Sequence, residues 1–515
     1  MTRKLKALIL ILVATIALSG CANDDGIYSD KGQVFRKILS SDLTSLDTSL
    51  ITDEISSEVT AQTFEGLYTL GKGDKPVLGV AKAFPEKSKD GKTLKVKLRS
   101  DAKWSNGDKV TAQDFVYAWR KTVDPKTGSE FAYIMGDIKN ASDISTGKKP
   151  VEQLGIKALD DETLQIDLEK PVPYINQLLA LNTFAPQNEK VAKKYGKNYG
   201  TAADRAVYNG PFKVDDWKQE DKTLLSKNQY YWDKKKVKLD KVNYKVIKDL
   251  QAGASLYDTE SVDDAVITAD QVNKYKDNKG LNFVLTTGTF FVKMNEKQYP
   301  DFKNKNLRLA IAQAIDKKGY VDSVKNNGSI PWDKAKKELG KNELSFSMNT
   351  EDTPDAKISA EYIKSQVEKN LPGVTLKIKQ LPFKQRVSLE LSNNFEASLS
   401  GWSADYPDPM AYLETMTTGS AQNNTDWGNK EYDQLLKVAR TKLALQPNER
   451  YENLKKAEEM FLGDAPVAPI YQKGVAHLTN PQVKGLIYHK FGPNNSLKHV
   501  YIDKSIDKET GKKKK

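Results

Sequence analysis

Cysteine is almost absent: the 515-residue chain has one, Cys21. A single thiol excludes an intramolecular disulfide, so the fold must be held by its apolar core. Histidine is nearly as scarce. His477, His489 and His499 all fall near the carboxyl end without His-x-x-x-His spacing, which removes the usual zinc-hydrolase pattern. No Gly-x-Ser-x-Gly elbow and no phosphate loop occurs, so two common catalytic signatures are missing. Carboxylates abound, 68 Asp and Glu in all, so composition does not exclude a glycosidase, but nothing selects one pair. Long apolar runs are lacking too. Ala7 to Leu18, interrupted by Thr15, is about a dozen residues, whereas a spanning helix needs about 20. Internal repeats and low-complexity tracts are also missing.

The formal net charge is +12, mostly from lysine. Nucleic-acid binders concentrate such charge with arginine and aromatic platforms. Here lysines are interspersed with acidic residues, which describes a solvated surface and argues against a nucleic-acid partner. The chain begins with Arg3, Lys4 and Lys6, then the short apolar run, then Leu18-Ser19-Gly20-Cys21. A basic start, a short apolar core and small residues before a cut site describe a secretory signal. The cut site resembles the bacterial lipoprotein signal. That resemblance implies a signal peptide over 1–20, Cys21 as first mature residue with lipid on its thiol, and a polar tether over 21–32. An ordinary signal peptide with a chance cysteine is the other reading. Removing the three leader cations takes the net charge from +12 to +9. One acyl chain binds membranes marginally, so stable anchoring takes two or more.

The rest has room for roughly two or three domains. Strand-like and helix-like segments alternate. Thr93 to Arg99 places Leu94, Val96 and Leu98 on one face and predicts a strand. Asn106-Gly107 is a turn, and Thr111 with Asp114 forms a capping box opening a helix with Phe115, Ala118 and Trp119 inward. Ile156 to Leu168 reads as a hairpin about Asp160-Asp161-Glu162, and Phe212–Val214 and Thr223–Leu225 as another strand pair. Leu307, Ala310, Ile311, Ala314 and Ile315 share a helical face. Ile358, Tyr362 and Val367 suggest a helix, followed by a strand over Thr375–Ile378. Leu435–Leu443 and Tyr451–Phe461 read as helices, and Lys512–Lys515 as a disordered tail.

Several landmarks fall in order along nearly the whole chain: Ser45-Leu46-Asp47, Phe64-Glu65-Gly66-Leu67, Leu94 to Gly107 continuing through Val110 to Phe115, Tyr208-Asn209-Gly210-Pro211-Phe212, Asn228 to Trp232, and Gly401-Trp402-Ser403-Ala404-Asp405-Tyr406. On these residues the chain resembles the oligopeptide-binding lipoproteins of ATP-driven importers, solute-binding protein family 5. The resemblance implies an α/β, two-lobed periplasmic-binding-protein-like fold with a hinge and an extra domain. Lobe I is expected over 33–64, 186–288 and 481–507, the extra domain over 65–185, lobe II over 289–480, and a basic tail over 508–515. It implies oligopeptide ligands, permease and ATPase partners, a monomer without cofactor or metal, and a lipid-anchored place on the extracellular side of the cell membrane. A signalling-peptide receptor of the same fold is the alternative; a surface hydrolase is a further one. One departure is visible. Gly328-Ser329-Ile330-Pro331 runs straight into Trp332-Asp333, where such family members carry several dozen further residues, so lobe II is expected to be shortened.

The candidate site lies around Gly401. Phe395–Ser400 reads as a strand, Gly401 allows close backbone approach, Trp402 offers an apolar face, and Pro407 and Pro409 stiffen the following loop. A free peptide presents an ammonium and unpaired amides, which a carboxylate and an open strand edge satisfy. The resemblance places the family's ammonium-binding aspartate on Asp405, and backbone contacts on Gly401, Ser403 and Thr52-Asp53-Glu54. From the residues alone, Asp405 also reads as an ordinary aspartate of a Pro-rich turn. The family's arginine two positions before the glycine is Leu399 here, which leaves recognition of the peptide carboxyl end open. Phe290 and Phe291 read as strand core or as cavity lining. Asp405 and Asp408 do not by themselves approach the six to eight oxygens of a calcium shell.

Overall fold

The structure is a computed structural model; it describes residues 32–51, 53–315, 329–404, 406–420 and 422–514. The signal, most of the tether, Cys21, Thr52, Asp405 and Lys515 lie outside the described residues. A ten-stranded mixed sheet runs through the molecule. Its strands in chain order are β1 (Val34–Leu39), β2 (Phe212–Lys218), β3 (Lys222–Lys227), β4 (Lys241–Val246), β5 (Asp264–Ile267), β6 (Leu281–Met294), β7 (Leu344–Glu351), β8 (Val374–Leu381), β9 (Ala397–Trp402) and β10 (Val467–Thr479). Their spatial order is β8-β7-β9-β6-β10-β5-β1-β4-β3-β2. The half from β1 to β2 is built around parallel β1–β4. The other half carries parallel β7–β8 and β7–β9 pairs.

The long strands β6 and β10 join the halves. They pair antiparallel from Leu281–Leu478 to Lys293–Val467, with a break in register between Leu285 and Thr289. The buried residues form separate clusters on either side of that break. The largest runs from Phe35 through the strands at 94–98 and 164–168 to Tyr244 and Val500. A second gathers Val292, Leu307, Ile363, Val367, Leu376 and Leu399. A third packs Met410, Tyr432, Leu436 and Leu454.

The local signals form the elements they predict. Leu94 and Val96 are buried on one face of the strand Thr93–Lys97 and Leu98 is buried just past its end; the strand belongs to a separate four-stranded sheet. Thr111 and Asp114 close a capping box on the helix Ala112–Val123, with Phe115, Ala118 and Trp119 buried. The hairpin Ile156–Asp160/Thr163–Asp167 is present. The helix Pro354–Asn370 forms, but Ile358 and Tyr362 are exposed, 68% and 46%. Ala360, Ile363 and Val367 supply its buried face instead. The basic end is a closed turn rather than a tail. Asp507 N donates to Lys512 O at 2.7 Å and Lys514 N to Ser505 O at 2.7 Å, with Gly511 at φ +66° making the turn that lysine would strain.

Between β1, β5 and β10 lies a buried ionic cluster that pattern reading missed. Lys37 Nζ is 2.8 Å from Glu58 and 3.8 Å from Asp264. Asp264, fully buried, accepts from Thr479 Oγ1 at 2.8 Å and Tyr488 Oη at 2.5 Å, with His477 Nδ1 at 3.4 Å. Burial alone raises the Asp264 pKa, but these contacts outweigh it and hold the carboxyl at about 2.

Candidate functional site

The site is built on β9. Its alternation sends Ala397 and Leu399 into the second cluster and Ser398 and Ser400 onto the opposite face. There both hydroxyls donate to Glu390 Oε1, at 2.6 and 2.5 Å. Lys293 Nζ reaches Glu390 Oε2 at 3.0 Å, and Arg386 ion-pairs with Glu390 and with Glu351, the latter at 3.1 Å. Burial pushes the Glu390 carboxyl up, but Lys293, the two serines and Arg386 more than compensate, so it stays below the usual range. The network fixes the strand from beneath. Its only sequence trace was the i,i+4 spacing of Arg386 and Glu390 and the serine alternation.

The strand is Ala397–Trp402, two residues later than predicted, because β6 stays paired through Thr289–Trp402. Gly401 is exposed, and what approaches it is a ring rather than a backbone. A Cβ there would sit 3.0 Å from the Phe290 ring. Phe290 stacks on Tyr471 with centroids 4.9 Å apart and planes 3° from parallel, and both rings remain partly exposed. Phe291, the next residue, packs on the third cluster instead. Phe291 therefore takes the strand-core role, while Phe290 stays partly exposed over Gly401.

On its other side β9 pairs with β7 only at Met348–Ala397 and Asn349–Ser398. From Leu399 onward that edge carries no partner strand among the described residues. Exposed Ser403 follows the strand, its Oγ 3.3 Å from where a Cβ on Gly288 would lie. Trp402 is half-buried, and its Nε1 donates to Ala411 O at 2.8 Å. The Tyr412 hydroxyl donates to Thr287 O beside the register break.

Asp405 and Thr52 are outside the described residues. Asp53 caps the helix Glu54–Thr63, accepting from Ser56 N at 2.7 Å and Thr44 Oγ1 at 2.6 Å; Glu54 is exposed. Among the described residues no hydrogen bond, ion pair or ring contact joins Asp53 or Glu54 to Gly401–Ser403. Leu399 is buried in apolar surroundings, 8% exposed. Asp408 is engaged by Arg450 through two bonds of 2.8 and 2.7 Å, so its carboxylate serves the loop. No group of three or more His, Cys, Asp or Glu that could hold a metal occurs among the described residues.

The other landmarks meet one another rather than this strand. Asn209 Oδ1 accepts from Glu65 N at 3.0 Å and its amide donates to Glu65 O at 2.8 Å. Asn228 donates to Gly210 O at 3.0 Å. Trp232 Nε1 donates to Glu65 at 2.6 Å, and Arg99 lies 3.6 Å over the Trp232 ring. Gly210 has no room for a side chain, since a Cβ would be 2.6 Å from Thr63 C. These residues lock the first core.

The sequence profile of the bacterial extracellular solute-binding proteins, family 5 Middle, matches residues 75–333 and 330–424. The dipeptide-binding protein of Lactococcus lactis is 33% identical, with 96% of this chain and 100% of that protein covered. The peptide-bound OppA of Listeria monocytogenes is 38% identical, covering 92% of this chain and 100% of that one, at a TM-score of 0.71. The murein tripeptide-binding protein MppA in its unliganded open form is 26% identical, covering 92% and 98%, at a TM-score of 0.78. The chain therefore belongs to the family 5 extracellular solute-binding proteins, and its mixed α/β architecture is the periplasmic-binding-protein-like fold of that family.

Proposed function

We propose that this protein captures oligopeptides outside the cell and delivers them to an ATP-driven importer. The observation that carries the reading is the edge of β9 that has no partner strand after Ser398. Exposed Gly401 and Ser403 follow on this strand, the Phe290 ring stacked on Tyr471 lies against Gly401, and Asp405 comes two residues after Ser403 in sequence. An extended peptide adds to such an edge through its backbone, the aromatic face accepts varied side chains, and Asp405 pairs with the ammonium. Leu399 offers no charge to the carboxyl end. The protein is a binding component without catalysis and works as a monomer. The test is calorimetry with one short peptide and its N-acetylated form. The free peptide is expected to bind and the acetylated one poorly; equal affinities would remove the ammonium from the recognition.

We further propose that the halves of the sheet close about Thr286–Gly288, where the β6–β10 ladder is broken. The shortened second lobe is supported by the two profile stretches that meet at 330–333.

Anchoring through lipid on Cys21 completes the reading. No helix among the described residues is long and apolar enough to cross a membrane. Cys21→Ala is expected to move the protein from the membrane to the soluble fraction. The fractionation needs a high-salt wash, because a basic protein clings to anionic surfaces; full retention after the wash would contradict a lipid anchor.

A further inference from the structure

The loop that follows the binding strand touches the opposite body of the molecule at one aromatic pair. Tyr406, the residue after Asp405, stacks on Tyr174 with ring centroids 4.5 Å apart and planes 14° from parallel. Tyr174 belongs to the large first cluster, and Tyr406 packs against that cluster and the third one together. Both partners are anchored from behind. The Tyr406 hydroxyl donates to Glu414 at 2.5 Å, and Glu414 also ion-pairs with Arg440. Asp408, two residues on, holds Arg450 bidentately. Tyr174 is 8% exposed, follows Pro171 and Pro173, and its hydroxyl lies 3.4 Å from Asp137, itself paired with Lys170 at 3.0 Å. A second contact runs beside the first. Leu445 rests against Gly91, where a Cβ would come within 3.0 Å of Leu445 Cδ2 and 3.2 Å of Pro171.

We infer that Tyr174 is a positioning residue for ligand recognition: it sets the loop between Trp402 and Met410 from the first core, through the ring of Tyr406. The inference rests on the peptide-binding reading above. The loop is already fixed at its start by Trp402, in the ladder with Thr289 and bonded to Ala411 O. It is fixed at its end by Asp408 and Arg450. The ring pair supplies a third point, next to the residue assigned to the ammonium. It is also the point at which the first core meets this loop. A flat ring on a flat ring allows sliding but resists tilting, so the contact restrains the loop without bonding the ligand. Removing the ring should affect ligands that use the ammonium and spare those that lack it.

The experiment is calorimetry of one short peptide, free and N-acetylated, on the wild type and on Tyr174→Leu, Tyr174→Phe and Tyr406→Phe. Tyr174→Leu keeps apolar bulk and loses the stack, and it is expected to narrow the acetylated-to-free ratio of Kd about fivefold. Tyr174→Phe keeps the ring and should restore the wild-type ratio. Tyr406→Phe keeps the stack but frees the loop from Glu414, and should narrow the ratio less than Tyr174→Leu. An unchanged ratio in Tyr174→Leu, or equal weakening of both ligands, would overturn the positioning role while leaving the peptide reading intact. A wild type that does not distinguish the two ligands would overturn that reading, and the positioning role with it.

Discussion

Lys37→Met is expected to be the most destabilising single substitution in the first half of the sheet. Lys37 is the cation between Glu58 and Asp264, and all three are buried. Methionine fills the space but leaves two carboxylates without their cation. Breaking a buried pair by removing one partner costs about 3–5 kcal/mol. The melting temperature should fall by about 3–5 °C. The pH dependence should also flatten. In the wild type the Asp264 pKa is depressed to about 2, against an unperturbed value of about 3.9. A depressed carboxyl contributes stability that is present above its unfolded pKa and is lost as pH falls through the folded one. The wild-type contribution, about 2–3 kcal/mol, should therefore disappear between roughly pH 4 and pH 2. In the variant Asp264 keeps His477 and Tyr488 but loses the Lys37 attraction, so less of this contribution should remain to be lost over the same window. Melting curves of both proteins from pH 7 to pH 2 check this. A variant that melts like the wild type, with the same pH slope, would show that the cluster carries no such energy.

Asp405→Asn is expected to weaken free peptides by about 30-fold or more. Truncating one member of a buried, hydrogen-bonded charge pair costs roughly 2–5 kcal/mol, largely because the other charge is left unpaired, and each 1.4 kcal/mol is about tenfold. Asparagine keeps the size and one acceptor oxygen. N-acetylated peptides, already weak, should lose little further. Calorimetry with both ligands separates a direct contact from a folding defect, which would weaken the two alike. Equal losses would take Asp405 out of the site.

Much of this architecture is legible in the sequence where the cause is local. The Thr111–Asp114 capping box and the Leu94/Val96/Leu98 alternation need only their neighbours, and both formed. The Gly401 strand was found, but its end was misplaced because β6, more than 100 residues away in sequence, continues the ladder. Close approach at Gly401 was foreseen, though as backbone; the Phe290 ring that fills the space comes from across the sheet. Ile358 and Tyr362 have the i,i+4 spacing of a buried face, yet the smaller Ala360 faces the core with Ile363 and Val367. Spacing identifies a helix, while packing against its neighbours decides which face goes inward. Lys37, Asp264 and His477 are scattered through the sequence, as are Tyr174 and Tyr406. Such contacts arise only when topology brings distant strands together, and no periodicity marks them. The landmark residues mostly proved to join the first core, as Glu65, Asn209 and Trp232 do, so resemblance located the family more readily than it located the site.

The most direct test of the account is mass spectrometry of what travels with the protein when it is isolated without denaturation. The account predicts a mixture of short peptides with free amino ends. A single peptide species would redirect the function to signalling, and the absence of any peptide, together with failure to bind added ones, would contradict the claim that this protein captures peptides.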